Sequence, residues 1–261
     1  MSLDQPAKFV KHQTVTRDAF LGGRLTLSQP RNGFRAGQDS VLLGAAVPAG
    51  TAQLLDLGAG VGTAGLVALA FARARGVDLV ERDLPTAELA RENLASNGFQ
   101  AQGRVLALDL TTKATERRAA GLKDNTYDAV IANPPYFGAG RGTLAPEQSR
   151  ADARHMDEQS LDHWVRCAAA SARAGGTAIF IYPATGLATL LTAFDQRFGA
   201  LTILPLSSRP GEAAGRLLIR GIKGSRAPLT LMATRALHAS EGNSFAPEFD
   251  AIFRGLAALD W

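Results

Sequence analysis

The stretch that most limits how this chain can fold is Asn133-Pro134-Pro135-Tyr136. It directly follows the apolar run Tyr127-Asp128-Ala129-Val130-Ile131-Ala132. That run has the length and the bounding residues of a buried strand. Two consecutive prolines offer no N–H to a ladder, so the strand stops there. An amide, a rigid kink and an aromatic ring are thereby delivered to a strand's carboxyl end, where open α/β sheets hold ligands.

Three apolar runs upstream end in the same suggestive way. Gln53 to Leu57 reads as a buried strand and runs into Gly58-Ala59-Gly60-Val61-Gly62-Thr63, followed by an Ala/Leu-rich helix over 64–75. Strand, glycine turn and helix make a nucleotide-type loop: the glycines permit a tight turn, and the helix start presents unpaired N–H groups. The Gly-x-Gly-x-Gly spacing is neither a Walker A loop nor a dinucleotide fingerprint. Val77 to Glu81 is a second strand ending in an acid, which suits the two hydroxyls of a ribose. A helix over 85–97 follows, with Pro85 early and Asn97-Gly98 as its stop. Val105 to Leu110 is a third strand, placing Asp109 where a carboxylate accepts from an adenine amino group. All four features fall at strand ends. The alternation of strands and helices predicts an α/β fold with a doubly wound, mostly parallel sheet and right-handed crossovers.

Outside this series, Arg24 to Pro30 alternates like a strand, and Asp39 or Ser40 is placed to cap a helix over 41–47 that stops before Pro48. Residues 1–48 therefore form a small N-terminal β/α extension, in which Phe34, Gln38 and Asp39 fold over a ligand, and 49–261 form the main domain. Helices over 161–174 and 187–198 flank a fifth strand at Ala178 to Pro183. Leu201 to Leu204 and Arg216 to Gly221 read as a closing antiparallel pair. Residues 229–231 and the tail from His238 to Trp261 cover an edge. Between Phe137 and Ser160 lies a polar loop carrying Arg141, Arg150, Arg154 and His155. A loop this long beside an active site reads as a substrate lid with arginines for phosphates. Arg209, in the loop over 207–215, is a further candidate phosphate contact.

Composition narrows the setting. The 261 residues, 46% hydrophobic, suit one α/β domain with appendages. No apolar run is long enough to span a bilayer, and the N-terminus lacks the apolar segment of a secretory signal. The single cysteine, Cys167, permits no intrachain disulfide and points to a reducing cytoplasm. A net charge of +4 and a pI near 9.6 permit nucleic-acid binding without requiring it.

The chemistry that fits the tetrapeptide is alkylation of a planar NH2 group. The Asn133 side-chain oxygen and the Pro134 carbonyl can each accept one amine hydrogen, Pro135 supplies no competing donor, and Tyr136 can stack on the planar group. With the glycine loop (Gly58, Ala59, Gly60, Gly62 and the preceding Asp56), Glu81 and Asp109-Leu110 upstream, the chain resembles the class I S-adenosylmethionine-dependent methyltransferases that act on planar nitrogens. The resemblance implies a seven-stranded Rossmann-like methyltransferase sheet with an antiparallel closing strand. It implies S-adenosyl-L-methionine as cofactor and Asn133 touching both cofactor and substrate. No metal is implied.

A narrower resemblance covers Asp18 to Leu25, Gly33 to Leu43 and Ala153-Arg154-His155. These are similar to bacterial tRNA1(Val) adenine-N6 methyltransferases, though Met156 stands where that pattern places an acid. It implies transfer to N6 of an adenine in a tRNA anticodon loop. A glutamine amide in a protein and a ribosomal RNA base are alternative substrates for the same site. A non-catalytic RNA-binding module is a rival of another class, and the intact acceptor pair argues against it.

Overall fold

A computed structural model describes residues 15–31, 35–135 and 161–261. Its centre is a nine-stranded sheet of the described residues: β3 (Thr51–Leu57), β4 (Ala74–Glu81), β5 (Gly103–Ala107), β6 (Tyr127–Ala132), β7 (Ala172–Pro183), β8 (Phe198–Ser207), β9 (Ala214–Lys223), β10 (Thr230–Leu231) and β11 (Arg235–Ala236). Spatially the strands run β10-β8-β9-β7-β6-β3-β4-β5, with β11 also on β8. The seven expected strands are β3 to β9, and two two-residue strands extend the edge. The expected closing antiparallel pair is present as β8 with β9. Only β9 runs against its neighbours, and it lies between β7 and β8, so β8 points the same way as β7.

The strands are almost continuously apolar because both faces are covered. Alternation nevertheless sorts them. Leu54, Leu79, Ile131, Ile179 and Leu218 share one core with Leu42 of α1 (Gln38–Ala45), Val67 of α2 (Thr63–Ala70), Leu94 of α3 (Leu84–Ser96) and Phe249 of α7 (Pro247–Phe253). Leu55, Val80, Val130, Phe180 and Ile219 face the other way. They pack with Val165 of α5 (161–171) and with Leu190 and Phe194 of α6 (Leu187–Asp195). α4 (Ala114–Ala119) is a single exposed turn-and-a-half beyond β5.

An N-terminal hairpin, β1 (Val15–Phe20) with β2 (Leu25–Pro30), turns through a 3-10 segment at Leu21–Gly23. Its β2 edge is finished by side chains. Asn93 on α3 accepts from the Ser28 N–H (2.7 Å) and donates to the Ser28 carbonyl (3.0 Å). Asn97, one turn on, does the same with Thr26 (3.0 and 2.9 Å). Two amides spaced i, i+4 thus stand in for a third strand. Asn93 also donates to the Val61 carbonyl in the glycine turn (3.0 Å), which joins hairpin, helix and turn at one side chain.

Several boundaries differ from expectation for tertiary reasons. α2 ends at Ala70 rather than near residue 75. Ala72 takes a left-handed conformation (φ 53°), and the chain reverses so that Ala74 pairs with Thr51. Likewise α5 gives way to β7 at Ala172, whose Gly175-Gly176 bulge restores register with β6. The N-cap of α1 is Gly37, and the expected caps Asp39 and Ser40 lie inside the helix.

Candidate active site

The parallel register sets the site. Leu57 pairs with Ala132 on β6 and with Val80 on β4, so Gly58, Asn133 and Glu81 emerge side by side from three adjacent strands. They line a cavity of about 470 Å³ that also reaches Asp109 and Leu110 beyond β5. From β6 to β5 the order along the wall is Asn133, the glycine turn, Glu81 and Asp109.

The glycine turn is held from both ends. Gly58, Gly60 and Gly62 all have positive φ (64°, 58° and 89°), a conformation that L side chains adopt at a cost. A methyl group on Gly62 would meet Leu66 and Leu79 at under 3 Å, so this residue fixes helix-on-strand packing. Glu81 folds the turn as well as facing the cavity: its carboxylate accepts from Gly60 N–H (3.0 Å) and Asp83 N–H (2.8 Å). A carboxylate has about four acceptor positions, so capacity remains for two ribose hydroxyls.

Asp56 is fully buried and accepts from the Gly65 N–H (3.0 Å). Burial pushes its carboxyl up to about 7, against that bond, with a further upward push from Glu81. Asp109 is the opposite case. The Thr111 N–H and hydroxyl, both 2.8 Å from Oδ1, hold its carboxyl below the usual range, with Arg82 at 4.0 Å from Oδ2. One carboxylate oxygen is thus anchored, and the other faces Arg82 and the cavity wall. The Leu110 carbonyl is pinned by Arg117 (3.0 Å), His163 Nε2 (2.6 Å) and the Cys167 thiol (3.8 Å).

At the β6 end, Asn133 and Pro135 line the cavity, and Pro134 is buried behind them. Of the other candidates, Ala59 and Gly60 line the cavity, whereas Gln38 and Asp39 do not. Asp39 pairs with Arg216 on β9 (3.0 Å), and Gln38 opens α1 on the surface. The N-terminal segment reaches the cavity instead through Pro30, Ala36, Ser40 and Leu43. Arg209 spends its guanidinium on the carbonyls of Ala239 (3.2 Å) and Gly242 (2.7 Å), bracing the loop beside it. Phe34, Tyr136, Arg141, Arg150, Arg154 and His155 lie outside the described residues. Among the wall residues not foreseen from the sequence is Trp164, on the helix that starts at residue 161. Its only advance signal is its rarity, one of two tryptophans in the chain.

A doubly wound sheet, a glycine turn without side chains and a nucleoside-sized cavity ending on Asn-Pro-Pro together define an S-adenosylmethionine-dependent methyltransferase. The methyltransferase small domain family model matches residues 37–159, and the chain belongs to that family. It is similar to the tRNA1(Val) (adenine(37)-N6)-methyltransferase of Aeromonas salmonicida. The two are 31% identical over 195 residues, covering 72% of this chain and 77% of that one. The like-named protein of Cronobacter sakazakii is 29% identical over 248 residues, covering 86% and 96%. Among solved structures, a predicted O-methyltransferase, Atu636 from Agrobacterium tumefaciens, matches with a TM-score of 0.71. Its identity is 35%, over 85% of this chain and 98% of that one.

When bound, S-adenosylmethionine supplies an electrophilic methyl group. The residues present fit it: Glu81 would take the ribose, Asp109 would take the adenine amino group, and the bare glycine turn would allow close backbone approach. Among the described residues no cluster has the makings of a metal site, and no helix is long and apolar enough to cross a membrane.

Proposed function

We propose that the chain methylates the exocyclic N6 amino group of an adenine in tRNA, in the anticodon loop. The observation that carries this reading is that Asn133 and Pro135 line the same cavity as Gly58, Glu81 and Asp109. An amide for a planar amine therefore stands at the end of the donor site, with Pro134 next to it in the chain. The names of the relatives, at about 30% identity, favour adenine and tRNA over other planar amines.

In this reading the Asn133 side-chain oxygen and the Pro134 carbonyl each accept one amine hydrogen. They hold the nitrogen in line and draw its lone pair out of the ring. Tyr136 stacks on the base, which is splayed out of its loop to be reached. No base is needed before attack, because the nitrogen sheds its proton readily once it carries a positive charge. Rate enhancement comes from positioning and from acceptors already in place. Arg141, Arg150, Arg154 and His155 serve the RNA backbone. Residues 1–48 act as an extension that packs on the cofactor site of a methyltransferase domain spanning 49–261. The protein works in the cytoplasm, with its tRNA.

The test supplies labelled S-adenosylmethionine with unmodified tRNA, ribosomal RNA or a protein extract, then identifies digested products by mass. N6-methyladenosine from tRNA is the expected product. Methylglutamine in protein, or label confined to ribosomal RNA, would refute the substrate while keeping the site. No label anywhere, with cofactor bound, would make this a non-catalytic module.

A further inference from the structure

Trp164 is the one aromatic side chain among the described residues that line the donor cavity. A methyl group built on Gly58 would lie 2.3 Å from its Cη2 and 2.9 Å from its Cζ3. The outer edge of the indole therefore rests on the Gly58 backbone, and the ring's faces are not used by that contact. Gly58 sits beside Asn133 in the β3–β6 register, while Glu81 and Asp109 lie on the far side, past β4 and β5. With the ribose on Glu81 and the transferable methyl towards Asn133, the sulfur must fall in the stretch between them, which is walled by Gly58 and Trp164.

That sulfur is cationic in the donor and neutral in the product. Among the described residues the one arginine on the cavity wall, Arg82, is at the adenine end, 4.0 Å from Asp109. Asp56, the other acid near the turn, is buried and already engaged by Gly65. An indole face is the strongest of the aromatic faces for a ligand cation, and its attraction grows when water is excluded.

We propose that Trp164 reads the charge on the donor sulfur: its ring attracts the sulfonium of S-adenosylmethionine and gives the neutral thioether product only packing. The residue thus biases the cavity towards fresh donor and against spent product. This rests on S-adenosylmethionine being the donor. A tryptophan serving only to cover Gly58 would make the same contact with the turn but would not distinguish the two ligands.

The test is calorimetric titration of the full chain with S-adenosylmethionine and, separately, S-adenosylhomocysteine. Trp164→Leu should weaken the first about two- to fivefold more than the second. Trp164→Phe, which keeps a π face, should preserve most of the difference. If both ligands weaken equally, or neither does, the charge-reading role is wrong. Should the leucine variant fail to fold, biosynthetic fluorotryptophans drain the ring face without changing its shape. Donor affinity falling with each added fluorine while product affinity stays level supports the proposal, and level affinities for both overturn it. If the wild-type chain binds neither ligand, the donor assignment itself has failed and the proposal falls with it.

Discussion

Asn93 offers the sharpest test of how the hairpin and the cofactor turn are joined. It is fully buried and makes three bonds to backbone groups: two with Ser28 and one with Val61. Flipping its amide would set oxygen against two carbonyls, so the orientation is fixed by its partners. Asn93→Ala leaves one N–H and two carbonyls without that partner. At about 1 kcal/mol for each, the loss is about 3 kcal/mol. For a domain of this size that is a fall in Tm of about 6–12 °C. Asn97→Ala also removes a two-way exchange with the hairpin, but at an exposed position that does not reach the glycine turn. It should cost about 1 kcal/mol or less. Thermal melts of both variants, with and without S-adenosylmethionine, separate the effects. Asn93→Ala should lose part of the ligand-induced rise in Tm, because Val61 is no longer held, and Asn97→Ala should keep it. A melt of Asn93→Ala within about 2 °C of wild type, or equal ligand shifts in the two variants, would show that the amide does not couple these elements.

Asn133→Ala should retain S-adenosylmethionine binding by calorimetry and lose turnover by roughly 10²-fold or more; full activity would remove the acceptor pair from the mechanism. Gly58→Ala must both strain a φ of 64° and displace Trp164, so cofactor affinity should fall about tenfold or more, whereas Gly60→Ala meets no neighbouring atom and should fall less. Equal losses in the two would mean that backbone strain alone sets the cost. Asp56 carries a pH dependence. Its folded carboxyl titrates near 7, above the ordinary 3.8, so the folded state holds the extra proton. The stability this group contributes is complete below about pH 4 and is lost as the pH rises through 7. Asp56→Asn keeps an oxygen for the Gly65 N–H and has no proton to lose. The Tm of the variant minus that of wild type should therefore grow between pH 5 and 8, and a constant difference would refute the assignment.

The parts of this molecule that were legible in its sequence are those encoded over short spans. Each buried strand announces itself as an apolar run, and the residue just past its end falls where the sheet is open. Gly58, Glu81, Asp109 and Asn133 could thus be placed in one cavity before any contact was known. Residues whose role depends on a distant partner were not legible. Asp39 looks like a helix cap or ligand contact, but Arg216, far along the chain, takes its carboxylate. Asn93 reads as an ordinary helical polar residue until Ser28 is brought against it. Trp164 reads as one more helix residue until Gly58 is brought beneath it. The helix expected over 64–75 shows the same competition. Its Ala- and Arg-rich end has helical propensity, but pairing of Ala74 with Thr51 claims it for a strand.

The reversed strand β9 sets an order of events when the chain folds. β8 meets β9 across the short link 208–213 and touches the long parallel strands only through it. A local antiparallel pair of this kind closes in microseconds, whereas the parallel crossovers must first close long loops. The pair should therefore be assembled early and dock on β7 as a finished unit. In pulse-labelled hydrogen exchange, amides bonded between β8 and β9 should gain protection before those between β9 and β7. The catalytic edge, which needs β3, β4 and β6 in register, would be the last part of the sheet to become rigid.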